Sequence, residues 1–130
     1  MSMNWENKTI LIVDDKKLNY VLLKTQLRKT NATFIWHENG QEVVDYIKNS
    51  QHADLILMDV RMPVLNGIEA TRMIKTIAPH IPIIIQTACA MGEPYEEIST
   101  SGCDDAIFKP IDSNKLIATI IKQFERYSIK

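Results

Sequence analysis

The chain has 130 residues, 45% of them hydrophobic and 24% charged, a size and balance that suit one globular domain with a single core. With 15 basic against 16 acidic residues the net charge is −1, so a broad basic surface for nucleic acid or anionic lipid is not indicated. No apolar stretch is long enough to span a membrane and the opening MSMNWENKTI lacks a signal-peptide core, which makes the cytoplasm the expected compartment and removes a membrane as partner.

Taken in chain order, strand-length apolar runs alternate with segments of helical period. Thr9–Val13 (TILIV) predicts a first strand, and Leu18, Val21, Leu22 and Thr25 then recur at i, i+3, i+4 and i+7. TFIW, residues 33–36, predicts the second strand. The helix after it is announced by Asn39 with Glu42 three residues on, and carries Val43, Val44 and Ile47 on one face. Leu55 to Met58 is the third strand, with Ala70, Met73, Ile74 and Ile77 marking the next helix. IPIIIQ, residues 81–86, is the fourth strand, Pro82 being tolerable at its start. A helix is expected from about Pro94 to a stop at Gly102. Ala106 to Phe108 is expected as a short fifth strand, and Ile117, Ile120, Ile121 and Phe124 form the face of a closing helix that begins near Asp112.

Continuous apolar strands alternating with amphipathic helices imply an α/β fold: a doubly wound, five-stranded parallel sheet covered on both faces. Right-handed crossovers favour the flavodoxin-like strand order 2-1-3-4-5, with the ligand site outside the carboxyl ends of the strands. The expected unit is a single domain over residues 1–130, its core about 8–127. Cys89 and Cys103 have no C-x-x-C spacing and read as reduced, half-buried side chains. His37, His52 and His80 have no metal-ligand spacing and read as structural or surface residues.

The strand ends carry the chemistry. Strand one ends in Asp14-Asp15, strand three in Asp59, strand four in Thr87-Ala88 and strand five in Lys109-Pro110. Under the expected order, three carboxylates, a hydroxyl and an ammonium converge on one edge. Carboxylates so placed repel, which raises at least one pKa unless a cation joins them. Mg²⁺ suits such a set, being a hard ion that takes one or two carboxylates directly. Asp59 is then a candidate nucleophile, with Lys109 and the metal answering charge on a transferring phosphoryl group and Thr87 donating to the product. Singly, each residue also fits a turn, a cap or a solvated charge; their coincidence at four strand ends favours a site.

With these residues in view, the chain resembles the receiver domain of two-component response regulators and hybrid histidine kinases. The resemblance runs from KTILIVDD through LILMDVRMPVLNGIEATRMIK and TA to GCDDAIFKPI. It implies Asp59 as phosphoacceptor, with a histidine kinase or histidine phosphotransfer protein as donor. It implies Mg²⁺ bound by Asp15, Asp59 and the Arg61 backbone carbonyl, Asp14 acting through water, and Thr87 and Lys109 contacting the phosphoryl group. A cis peptide at Lys109-Pro110 and an unusual backbone angle at Gly67 are implied too. The output would be a fused kinase or a downstream partner, and the sequence pattern is closer to the hybrid-kinase group.

One position departs from that family. Receivers usually carry Tyr or Phe three residues before the lysine, where this chain has Ala106. Phosphorylation is expected to survive, with the aromatic part of the switch missing or reassigned; strand alternation aims Phe108 away from the Lys109 face, and Tyr95 is a possible substitute. Arg61 and Cys89 flank the expected path of attacking water, and Arg61 either shields the phosphoryl group, giving it a long life, or points into solvent. Ala88 and Pro110 complete the positions expected to modulate the switch.

Competing functions fit less well. A haloacid-dehalogenase-type phosphatase needs D-x-D, whereas Asp59-Val60-Arg61 ends in arginine. A nucleotide-binding domain would carry G-x-G-x-x-G or G-x-x-x-x-G-K-[ST], and neither is present. The alternative from a different class is a pseudo-receiver, an interaction module that keeps the fold without using phosphate.

Overall fold

The structure, a computed structural model, describes residues 4–88 and 95–128. Strands β1 (Thr9–Val13), β2 (Thr33–His37), β3 (Leu55–Asp59), β4 (Ile83–Thr87) and β5 (Asp105–Phe108) pair in parallel in the order β2-β1-β3-β4-β5. This is the order the sequence predicts. Helices α1 (Lys17–Leu27), α2 (Gly40–Lys48), α3 (Gly67–Ile77), α4 (Tyr95–Ser99) and α5 (Ser113–Ser128) alternate with the strands. A 3-10 turn at Arg28–Thr30 extends α1.

The sheet separates two cores because successive strand side chains point to opposite faces. Leu11, Val13, Ile56, Met58, Ile83 and Ile85 pack under α2, α3 and α4. Ile10, Ile12, Leu55, Leu57, Ile84 and Ile107 pack under α1 and α5. Strands β3 and β4 are buried along their whole length and β1 at all but Thr9, which explains why they read as unbroken apolar runs rather than alternating ones.

Side-chain caps begin α2, α3 and α5 as the chemistry of orphan N–H groups requires, Asp112 Oδ2 accepting from Lys115 N at 2.9 Å before α5. Asn39 Oδ1 accepts from Glu42 N at 2.9 Å, the pattern read in the sequence. Asn66 Oδ1 accepts from Glu69 N at 3.0 Å to start α3 in the same way. Gly102, at φ 95°, turns the chain toward β5 after α4, where only glycine adopts the left-handed backbone without cost.

Two expectations are corrected. The periodic residues that mark α1 are not its buried face: Leu18 is 68% and Leu22 54% exposed, with Val21 and Thr25 exposed beside them. Leu23 and Leu27 are buried instead. Gly67 does not carry an unusual backbone angle; among the described residues only Gly102 is a glycine at positive φ. Gly67 is needed for space, since a Cβ there would lie 1.9 Å from the Asp59 carbonyl oxygen. Pro94 and Cys89 lie outside the described residues, as does the side chain of Tyr95.

At the amino ends of β4 and β5, opposite their carboxyl tips, Asp104 gathers an ionic cluster. Its carboxylate accepts from Ile83 N at 2.8 Å and from the Tyr127 hydroxyl, and pairs with Lys75 Nζ at 2.7 Å and Arg126 at 3.5 Å. Burial, then the Asp104 hydrogen bond, push the Tyr127 hydroxyl up to about 12. Strands β4 and β5 are thereby tied to α3 and α5 at one end.

Candidate functional site

The carboxyl ends of the central strands meet as the topology demands. Asp14 follows β1 directly and is wholly buried, Asp59 is the last residue of β3 and nearly so, and Asp15 is exposed. One carboxylate oxygen from each of Asp14, Asp15 and Asp59 lies within 4.8 Å of the other two. Lys109, just past β5, donates from Nζ to Asp59 Oδ1 at 2.7 Å. Its backbone N–H donates to Thr87 O at 2.8 Å, holding the β4 and β5 tips together. The Lys109-Pro110 peptide is cis, as the resemblance implies.

The Asp59 carboxyl lies above its ordinary value of 3.8. Burial is the leading cause, the Lys109 hydrogen bond opposes it, and the Asp14 charge adds to it. The sequence led us to expect a rise from mutual repulsion; the direction is as expected, but loss of water contributes more than the neighbouring charge.

Asp14 is held on several sides. Its Oδ1 accepts from Lys16 N at 2.9 Å and Asn19 Nδ2 at 3.3 Å, while its N–H donates to His37 O at 3.0 Å. The indole Nε1 of Trp36 donates to the Asp14 carbonyl at 2.8 Å. Its Oδ2 is buried with no hydrogen-bond partner among the described residues. An orphaned buried carboxylate oxygen beside two more carboxylates is the donor chemistry of a hard divalent cation. The residues present therefore fit Mg²⁺.

Beside Asp15, a cleft of about 530 Å³ is lined by Val60, Arg61, Met62, Asn66 and Glu97. It follows the β3–α3 loop, where Val64 adopts φ 71°, a costly conformation for a β-branched residue. Gly67 N donates to Val60 O at 2.8 Å and closes the loop against the end of β3.

Thr87 is buried at the β4 tip, and its hydroxyl donates to the carbonyl of Ala88 at 3.2 Å. Ala106 packs against the core beneath α2–α4. Phe108, two residues on, shares that face by alternation, pairs in register with Thr87 and is well exposed. Asp14, Asp15, Asp59 and Lys109 are thus brought together, with Thr87 on the adjoining tip. Trp36 and Asn19 were missed by sequence reasoning. A tryptophan at the end of the strand beside β1 is the available signal, because a half-buried indole N–H needs an acceptor.

The comparisons agree with this geometry. The family model "Response regulator receiver domain" matches residues 10–121. A hybrid signal transduction histidine kinase I from Dictyostelium discoideum is 36% identical over 126 residues, covering 91% of this chain but only 7% of that protein. The polar-differentiation response regulator DivK of Brucella ovis is 36% identical over 115 residues, covering 87% of this chain and 93% of its own. Among solved structures, the receiver domain of a Pseudomonas aeruginosa sensor histidine kinase, with magnesium coordinated in its active site cleft, is 30% identical. It superposes at a TM-score of 0.83, covering 91% of this chain and 98% of its own. A CheY-like receiver domain protein from Methanospirillum hungatei is 25% identical at a TM-score of 0.85, covering 93% of this chain and 96% of its own. With an acidic cluster at the tips of a 2-1-3-4-5 sheet and a family match across most of its length, the chain belongs to the receiver domains of two-component signalling.

Proposed function

We propose that this receiver takes a phosphoryl group onto Asp59 from a phosphohistidine of a histidine kinase or phosphotransfer protein. The observation that carries the reading is Asp59 at its strand tip, with Lys109 Nζ at 2.7 Å and two further carboxylates in reach. An Asp59 carboxylate oxygen forms the bond to phosphorus as the phosphorus–nitrogen bond breaks and its electron pair leaves with the histidine. Lys109 supplies a fixed positive charge to the phosphoryl oxygens, and Thr87 can donate its hydroxyl once that hydroxyl leaves the Ala88 carbonyl. Asp14, Asp15, Asp59 and the Arg61 backbone carbonyl would hold Mg²⁺, which when bound neutralises charge on the transferring group.

The remaining assignments follow from that chemistry. Residues 1–130 act as one receiver, with a core about 8–127, in the cytoplasm; among the described residues no helix is long and apolar enough to cross a membrane. Its own phosphorylation and slow dephosphorylation are reactions it assists, while its role is signalling rather than turnover of a substrate. Exposed Leu18, Val21 and Leu22 on α1, adjacent to Asp14 and Asp15, offer the donor protein an apolar landing face. The added negative charge shifts the packing of the β4–β5 face, which passes the signal to a fused kinase or a downstream protein. Ala106 gives that face no aromatic at the family's usual position, so Phe108 or a non-aromatic route carries the change.

The test is intact-protein mass after incubation with acetyl phosphate and Mg²⁺, beside Asp59→Asn. One added phosphate, lost in the variant and without Mg²⁺, is expected. No phosphate together with no Mg²⁺ binding would instead support the pseudo-receiver.

A further inference from the structure

Asp14 is held from outside the expected site residues. The β1–β2 ladder ends with Val13 opposite His37, and Asp14 N–H makes a last bond to the His37 carbonyl. Beyond that point the chain after β2 turns away into α2, so no strand remains to take the Asp14 carbonyl. The indole Nε1 of Trp36 takes it, at 2.8 Å. The ring is fixed in turn: it stacks on Tyr20 of α1 with centroids 5.6 Å apart and planes 12° from parallel.

We propose that Trp36 is a positioning residue of the acidic cluster, fixing the peptide that joins Asp14 to Asp15 and thereby setting the protein's affinity for a divalent cation. The inference rests on the metal reading given above and deepens it. The Asp14 carbonyl belongs to the same rigid peptide plane as the Asp15 nitrogen, so its hydrogen bond sets where Asp15 begins. Asp15 has no side-chain hydrogen bond or ion pair of its own among the described residues, and its direction comes from that backbone alone. Asp14 differs: Lys16 N and Asn19 Nδ2 occupy Oδ1 and leave buried Oδ2 for a ligand. With the indole bond in place the two carboxylates are presented in one arrangement before a cation arrives. Without it, the cation must order the Asp14-Asp15 peptide as it binds, and affinity falls.

Calorimetric titration with Mg²⁺ alone tests this on the wild type, Trp36→Phe, and a variant carrying β-(3-benzothienyl)alanine at position 36. The last keeps the shape of the indole and lacks its N–H, so it serves if phenylalanine prevents folding. Trp5→Phe is the control, since Trp5 packs edge-on against Phe124, away from the site. Both position-36 variants are expected to bind Mg²⁺ about threefold to tenfold more weakly, the range one net hydrogen bond controls, with Trp5→Phe unchanged. A purely structural role would lower the melting temperature of the metal-free protein and leave Mg²⁺ affinity as it was, which overturns the inference. Unchanged affinity in the isosteric variant overturns it as well, while the metal reading stands. If the wild type itself binds no Mg²⁺, both fall together.

Discussion

A carboxylate buried at the tip of β3 loses water that its neighbours replace only in part. Lys109 answers some of the Asp59 charge, yet burial and Asp14 outweigh it, and the carboxyl lies above its ordinary value. An acid whose folded pKa is raised gives up stability as pH rises through that value. Ionised Asp59 therefore costs stability near neutral pH, and the cost is absent below the ordinary value of 3.8, where both states are protonated. Asp59→Asn should raise the melting temperature of the metal-free protein by a few degrees at pH 7, with the gain shrinking in acid; a lower melting temperature would show that the Lys109 pair matters more than burial. Mg²⁺ should stabilise the wild type and not the variant. His37 titrates with the opposite sign. Burial holds its imidazole below 6.5 although Glu42 pulls it upward, and Tyr46 packs edge-on against the ring. Stability is complete above 6.5 and declines as pH falls toward the folded value. Urea midpoints measured from pH 7 to 5.5 should fall in the wild type and stay flatter in His37→Phe.

Elements were legible wherever their signal was local. The central strands read as apolar runs because the sheet is covered there on both sides, and the tips of β1, β3, β4 and β5 read because each run stops at a charged or hydroxyl residue. The site was legible as a list of such tips, Asp14-Asp15, Asp59, Thr87 and Lys109. What held them was not, because Trp36 meets Asp14 across 22 residues and no short window contains both. The α1 face misled for a physical reason: period identifies a helix but not which apolar stripe turns inward. Tyr20, Leu23 and Leu27 face the core, and the more regular Leu18, Val21 and Leu22 face water. Gly67 was noticed for the wrong cause, since the crowding comes from Asp59 in another element. Gly67→Ala should cost about 2 kcal/mol or more in urea unfolding, the α3 start having to move off the β3 tip. An alanine variant of unchanged stability would mean that α3 shifts without loss.

At the scale of the whole molecule, the exposed α1 stripe and the acidic cluster lie on neighbouring surfaces. Replacing Leu18 and Leu22 together by Glu should slow phosphotransfer from a cognate kinase at least tenfold and leave labelling by acetyl phosphate unchanged, because the small donor needs no landing face. Equal loss with both donors would place the damage in the fold or the site. The two ends of the β4–β5 pair differ in kind. At one, Asp104 binds Lys75, Arg126, Tyr127 and the Ile83 N–H; at the other stand Thr87 and Lys109, with the Lys109 ammonium on Asp59 and β4 paired to β3 as far as Gln86. Mechanically β5, an edge strand paired with β4 alone, is a beam clamped at its root beside Asp104 and loaded at its Lys109 tip. Under the proposed phosphorylation, a change of charge at Asp59 would load that tip, about five residues or roughly 16 Å from the clamp. The root bears the bending moment, and its Lys75–Asp104 pair is nearly buried and little screened by salt, so ionic strength leaves the clamp stiff and acts first at the more exposed tip.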